Sequence, residues 1–189
     1  MTMTQMAHQE KMDGLIQFAT KGLIHDVEAY RDKAYRMIGD GASDAYMIDV
    51  LIKNALENID EASPEWTFVA SRIYLHDLYE QAAKNRNYDA KHLYGNFYEL
   101  IQILTDQGIY SPQLLNIYTK EEIEYLGQAI DPKRDLLFNY LGLYTLATRY
   151  LATDHDKNVY ELPQERWMII AMHLMQQESQ EKRLDLILE

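Results

Sequence analysis

The sequence has 189 residues, enough for one large domain or two small ones with a real core, and carries a formal charge of −12. A field of that sign repels phosphate backbones, which disfavours nucleic-acid binding, and the nearest basic run, Lys84 to Arg86, is too short to make a patch. There is no cysteine, so disulfides, thiolate metal sites, cysteine nucleophiles and thiyl-radical chemistry are all excluded within this chain.

Apolar runs such as Met168 to Met172 are far shorter than a membrane span, and no basic segment followed by an apolar stretch opens the chain. A cytoplasmic location is the expectation. Along the chain, helical periodicity dominates. Ile48, Leu51, Ile52, Ala55 and Ile59 follow the spacing of one buried helical stripe. Ser63-Pro64 reads as an N-cap with proline at the first helical position, ahead of a helix apolar on two sides. One side is Trp66, Val69, Ala70 and Ile73; the other is Phe68, Leu75, Tyr79 and Ala82.

Asn85 to Asp89 is the seam expected between a helical segment 1–88 and a helical domain 89–189. Leu93, Phe97, Leu100, Ile101 and Leu104 form the next stripe, and Gly108 stands where a C-cap glycine belongs. Ser111-Pro112 and Asp131-Pro132 repeat the cap-then-proline signal, while Thr119 to Glu122 has the pattern of a capping box. Arg149 to Ala152 and Asn158 to Leu162 flank a polar, turn-rich stretch and predict a short β-hairpin. Pro163 opens a helix marked by Trp167, Ile170, Ala171 and Leu174. Leu184, Ile187 and Leu188 begin a last stripe that stops at Glu189 without glycine, proline or a basic last turn, as a truncated chain would. The expected fold is mainly α, a multi-helix bundle with one short β-hairpin near 149–162.

Candidate sites are few. Asp154, Asp156, Asn158 and Glu165 match positions 1, 3, 5 and 12 of a calcium loop, but Val159 replaces the glycine needed at position 6, so a solvated hairpin tip is the better reading. The six histidines are scattered, with no Glu-x-x-His, which argues against a di-metal bundle; Asp89-x-x-His92 is explained by capping, and His173 reads as a packed core histidine. The fifteen tyrosines read as amphipathic packing with hydroxyls at the core edge, and Met168, Met172 and Met175 as core filler. Spacing and composition alone declare no function and no catalytic, cofactor or metal residue.

Ordered strings say more. Ile48 to Ala55, Pro64-Glu65-Trp66 and Val69 to Arg72 are followed by Gly108-Ile109-Tyr110, Leu114-Leu115, Tyr118-Thr119 and Glu121-Glu122. Then come Ile130-Asp131, Arg134-Asp135, Phe138-Asn139-Tyr140, Arg149-Tyr150-Leu151 and Glu161 to Trp167. Together these resemble the N-terminal region of class I ribonucleotide reductase large subunits, from about Gly14 to Glu189. The resemblance implies a shortened ATP-cone-like segment, 1–88, and an N-terminal helical domain, 89–189, ahead of a catalytic barrel whose cysteines and radical-transfer tyrosines lie outside this chain. It further implies a structural and regulatory role in deoxyribonucleotide synthesis, without catalysis by the chain alone. The partners implied are the barrel, a metal-radical small subunit and the nucleotide effectors ATP or dATP.

The effector site the resemblance would place here falls around Tyr35, Ala42, Ser43 and Tyr46. Ala42 and Tyr46 stand where the family often has threonine and histidine, and Met1 to Lys11 lacks the family's basic, glycine-containing β element. The implied cone is therefore reduced. A reduced nucleotide-sensing domain and a free-standing helical interaction module are the alternatives.

Overall fold

The structure, a computed structural model, describes residues 3–39 and 42–189, so Met1, Thr2, Asp40 and Gly41 lie outside it, the last two within the Tyr35–Tyr46 stretch. The described residues form ten α-helices: α1 Met3–Thr20, α2 Glu28–Met37, α3 Asp44–Glu57, α4 Trp66–Arg86, α5 Phe97–Asp106, α6 Gln113–Ile117, α7 Lys120–Gly127, α8 Tyr140–Arg149, α9 Pro163–Leu174 and α10 Gln180–Leu188. Short 3-10 helices at Ala90–His92 and Pro132–Leu137 complete the set. The chain divides into two compact units, one running to Asp77 and including Leu136–Tyr144, the other made of Leu78–Asp135 and Thr145–Glu189.

The first unit is built on a stripe along α1: Met12, Leu15, Ile16 and Ala19 are all buried, at the i, i+3, i+4, i+7 spacing of one helix face. They belong to one core with Tyr30 and Ala34 of α2, Met47, Leu51 and Ala55 of α3, and Val69, Ala70 and Ile73 of α4. In α3 the buried set begins one residue earlier than the periodicity predicts, and Ile59 is exposed beyond the helix end. Two hydrogen bonds tie α2 to α3: the Tyr30 hydroxyl donates to the Leu51 carbonyl at 2.9 Å, and Asn54 donates to the Tyr30 carbonyl at 3.1 Å. Arg72 closes the C-terminus of α1 by donating to the carbonyls of Ala19 and Lys21, at 3.3 and 2.8 Å. Gly22, at φ +73, supplies the left-handed residue that lets the chain turn there.

In the second unit α5 buries Phe97, Leu100, Ile101 and Leu104 in a core shared with Leu114, Tyr118, Ile123 and Leu126, and with Ile169 and Met172 of α9. Asn96 caps α5 by accepting from the Glu99 N–H at 3.0 Å, and Gly108 takes the expected left-handed conformation at φ +72. The Thr119–Glu122 capping box of α7 is present with both of its hydrogen bonds. Leu93 does not join the α5 stripe: it lies outside the helix at φ +58 and is partly exposed.

Two further expectations are corrected. His173 is exposed, at the border of the α9 face that buries Ile169 and Met172, and is not packed in the core. The hairpin near 149–162 reduces to one isolated antiparallel bridge between Thr153 and Val159. Arg149 is the last residue of α8, so no strand begins there. The N–H groups that a ladder would use go to side chains instead: Ala152 donates to Glu161 at 2.6 Å, and Asp156 and Asn158 donate to Asp154 at 2.9 and 2.8 Å.

The first core makes a graded prediction. Leu51→Ala leaves a cavity and costs about 2–5 kcal/mol, whereas Tyr30→Phe removes only one hydrogen bond and costs about 1 kcal/mol. Urea unfolding of the two variants checks the order; equal losses would mean that the α2–α3 pairing rests on the hydroxyl and not on the packing.

Candidate functional site

The densest polar chemistry among the described residues gathers at the N-terminal end of α9. Arg86, the last residue of α4, has a side chain only 2% exposed and faces Glu165, whose side chain is fully buried. One guanidinium nitrogen of Arg86 reaches both carboxylate oxygens, at 2.9 and 3.1 Å, and also donates to the Tyr160 carbonyl at 3.3 Å. Its other terminal nitrogen donates to the Asn96 carbonyl at 3.0 Å. Glu165 accepts in addition from the Leu162 N–H at 2.9 Å, covering one of the orphan donors at the start of α9. Burial raises the Glu165 carboxyl to about 7, against the pull of Arg86.

The neighbours on either side of Glu165 are anchored too. Arg166 pairs with buried Glu161 at 2.7 Å, and Glu161 also accepts from the Tyr110 hydroxyl. Gln164 donates to Asp135 at 2.9 Å and to the Asp131 carbonyl at 2.7 Å, and accepts from the Asp131 N–H at 3.1 Å. Asp135, itself fully buried, accepts from the Tyr79 and Tyr94 hydroxyls at 2.6 and 2.7 Å. Burial raises Asp135 and Glu161 above the usual carboxylate range, and it raises the three tyrosines, which therefore stay neutral donors. Each of the three carboxylates is held by donors from several segments of the chain. Chemically the arrangement fixes the orientation of α9 through three consecutive side chains.

The residues singled out from the sequence fall elsewhere. Ser43 caps α3, its hydroxyl accepting from the Tyr46 N–H at 3.2 Å, while the Tyr46 ring is 48% exposed. Ala42 packs at the edge of the first core. Tyr35 on α2 is drawn to Gln9 and Asp13 of α1. The lysines on these helices are already matched to carboxylates: Lys11 to Asp44 at 2.6 Å, Lys33 to Glu57 at 2.6 Å and Lys53 to Asp49 at 2.7 Å. An open hollow of about 830 Å³ lies at the α1–α2 turn, with Phe18, Lys21, His25 and Arg31 in its wall, and none of the four singled-out residues lines it.

The calcium-like pattern is not assembled. Asp154 spends its oxygens on Asp156 and Asn158, and Glu165 is sequestered by Arg86. Among the described residues no three His, Asp or Glu side chains converge as a metal site. Periodicity missed Arg86, Asp135 and Glu161. The signal for Asp135 and Glu161 lies in the ordered strings, where Arg134-Asp135 and Glu161 to Trp167 stand out without a helical face to explain them; Arg86 has none.

Two outcomes follow from the buried pair. Arg86→Met leaves the Glu165 charge unpaired and costs about 3–5 kcal/mol, while the double variant Arg86→Met/Glu165→Leu recovers most of it; chemical unfolding of both measures the difference. Because the Glu165 pKa is raised, the folded chain binds more protons than the unfolded one between the ordinary carboxylate value and about 7. That contribution is present at low pH and is lost as pH rises through the window, so Tm at pH 6 should exceed Tm at pH 8. A lower Tm at pH 6 would show Glu165 to be ionised throughout.

Residues 136–189 match the family described as ribonucleotide reductase, all-alpha domain. The chain is 39% identical over 137 residues to the ribonucleoside-diphosphate reductase subunit alpha of Helicobacter pylori, covering 72% of this chain and 16% of that protein. It is 29% identical over 181 residues to the corresponding subunit of Enterobacteria phage T4, covering 93% of this chain and 22% of that protein. To ribonucleoside-diphosphate reductase 1 subunit alpha of Escherichia coli it is 24% identical over 192 residues, covering 97% of this chain and 24% of that protein. The chain thus spans less than a quarter of the length of these relatives. On these matches, carried by most of its length, the chain belongs to the ribonucleotide reductase large-subunit family and corresponds to its N-terminal, all-α region.

Proposed function

We propose that the chain is a structural docking segment of a ribonucleoside-diphosphate reductase large subunit, with residues 1–88 as a reduced cone-like part and 89–189 as the helical domain. The observation that carries this reading is the distribution of bare apolar surface. Of the sixteen large hydrophobic residues exposed among those described, nine lie in residues 136–189: Leu137, Leu141, Tyr144, Tyr150, Trp167, Ile170, Leu174, Leu186 and Leu188. Scattered exposed apolar residues are ordinary, but a concentration in under a third of the sequence supports reading this stretch as one that meets another body.

Catalysis is assigned to the rest of the large subunit, since reduction through a thiyl radical needs a cysteine and this chain has none. Pairing with a radical-generating, metal-containing small subunit and the response to nucleotide effectors belong in this reading to the whole subunit. The place of action is the cytoplasm; no helix among the described residues is long and apolar enough to cross a membrane.

The 189-residue chain should show no turnover of ribonucleoside diphosphates when mixed with a radical-loaded small subunit and a dithiol reductant, and no saturable heat on titration with millimolar dATP. Turnover would overturn the structural assignment outright. A saturating dATP isotherm would replace it with nucleotide sensing.

A further inference from the structure

Helix α9 is apolar on opposite sides. Ile169 and Met172 are buried in the second core, while Trp167, Ile170 and Leu174 are 53%, 40% and 70% exposed. The exposed three stand at i, i+3 and i+7 and therefore share one stripe. Rotation of the helix about its axis is fixed by its polar side chains. Gln164, Glu165 and Arg166 point in successive directions about 100° apart, and each is held by different partners: Asp131 and Asp135, Arg86, and Glu161. The stripe occupies the sector those three directions leave.

We propose that Trp167, Ile170 and Leu174 are the docking surface for the part of a reductase large subunit that lies outside this chain, an inference that rests on the structural reading above. The occupant is chosen on three grounds. The chain spans only 16% to 24% of its relatives' length, so most of the subunit's surface lies outside it. Helix α9 falls wholly within residues 136–189, the segment that matches the family's all-alpha domain. A second copy of this chain is opposed by the repulsion between two bodies of charge −12.

The stripe also has the properties of a strong contact. It is preorganised, because a helix clamped by buried ionic and amide contacts loses little freedom when its bare face is covered. Its first residue is tryptophan, a side chain strongly enriched among those that dominate interface affinity. The surface it fits is an apolar groove that accepts one aromatic ring flanked by two aliphatic side chains.

The test is co-expression of the tagged 189-residue chain with the remaining large-subunit sequence of the same organism, followed by measurement of affinity. The parent chain is expected to form a 1:1 complex. Trp167→Ser/Leu174→Ser is expected to weaken it about tenfold or more, with unchanged far-UV circular dichroism and Tm because both side chains are exposed. Ile59→Ser, an exposed apolar position outside residues 136–189, is expected to leave affinity unchanged. A complex indifferent to the double substitution overturns the stripe assignment while the docking reading stands. Absence of a complex with any version overturns both. A concentration-dependent dimer of the chain that the double substitution abolishes assigns the stripe to a second copy and overturns the proposal.

Discussion

Burying Arg86 against Glu165 is the constraint around which the second unit is arranged, because neither charge tolerates that environment without the other and without further donors and acceptors. Taking one ion of this kind out of water carries a penalty of several kcal/mol, and a lone pair contact does not offset it for both. The surrounding backbone completes the compensation. The carbonyls of Asn96 and Tyr160 face the guanidinium, and the Leu162 N–H faces the carboxylate. The end of α4, the cap of α5 and the entry to α9 are thus required to meet at one point. A hydrophobic pair of equal volume could give comparable stability; what it would not give is direction.

Direction matters because α9 has apolar residues on both sides, and hydrophobicity alone would let either side turn inward. Turning the Trp167 side into the core would carry Glu165 out of reach of Arg86, Arg166 out of reach of Glu161, and Gln164 away from Asp135. The polar anchors therefore choose between two packings that the apolar pattern leaves nearly equivalent. They also explain why unpartnered apolar surface persists on a water-exposed helix: the opposite face is committed to partners of fixed geometry.

The same ambiguity sets what could be read from the sequence. Helices with one apolar stripe are legible in the sequence, as in α7 with its Thr119–Glu122 box, or in α5 apart from Leu93, which lies four residues before that helix. For α9 the helix was legible from Pro163 and the spacing of Trp167, Ile170 and Leu174, but not which face is buried, since burial depends on partners distant in sequence. The expected hairpin failed for a related reason. The turn residues around Asp154 to Asn158 suggest paired strands, yet the side chains of Asp154 and Glu161 take the N–H groups that strand pairing requires. Buried polar residues have no period at all. Arg86 stands in a short basic run, Glu165 at the end of a calcium-like pattern that Val159 interrupts, and Asp135 is visible only as part of a family string.

At the start of α3, charge and backbone geometry pull in opposite directions. The N-terminus of a helix favours an anion, and α3 presents one. Its first turn, however, already holds the Ser43 hydroxyl on the Tyr46 N–H and the Asp44 carboxylate beside Lys11. That ion pair is exposed, 40% and 57% at the two side chains, so it contributes little and a ligand could open it. Opening it would leave Asp44 facing the incoming phosphates, and the lysine gained would be offset by the carboxylate released. Lys33 and Lys53 bring the same difficulty with Glu57 and Asp49. A triphosphate needs an excess of cations, and the lysines of these helices each stand beside a carboxylate. The lysines beside α3 thus offer phosphates little net charge, whereas the bare surface of α9 is mostly apolar, made by Trp167, Ile170 and Leu174 with His173 beside them.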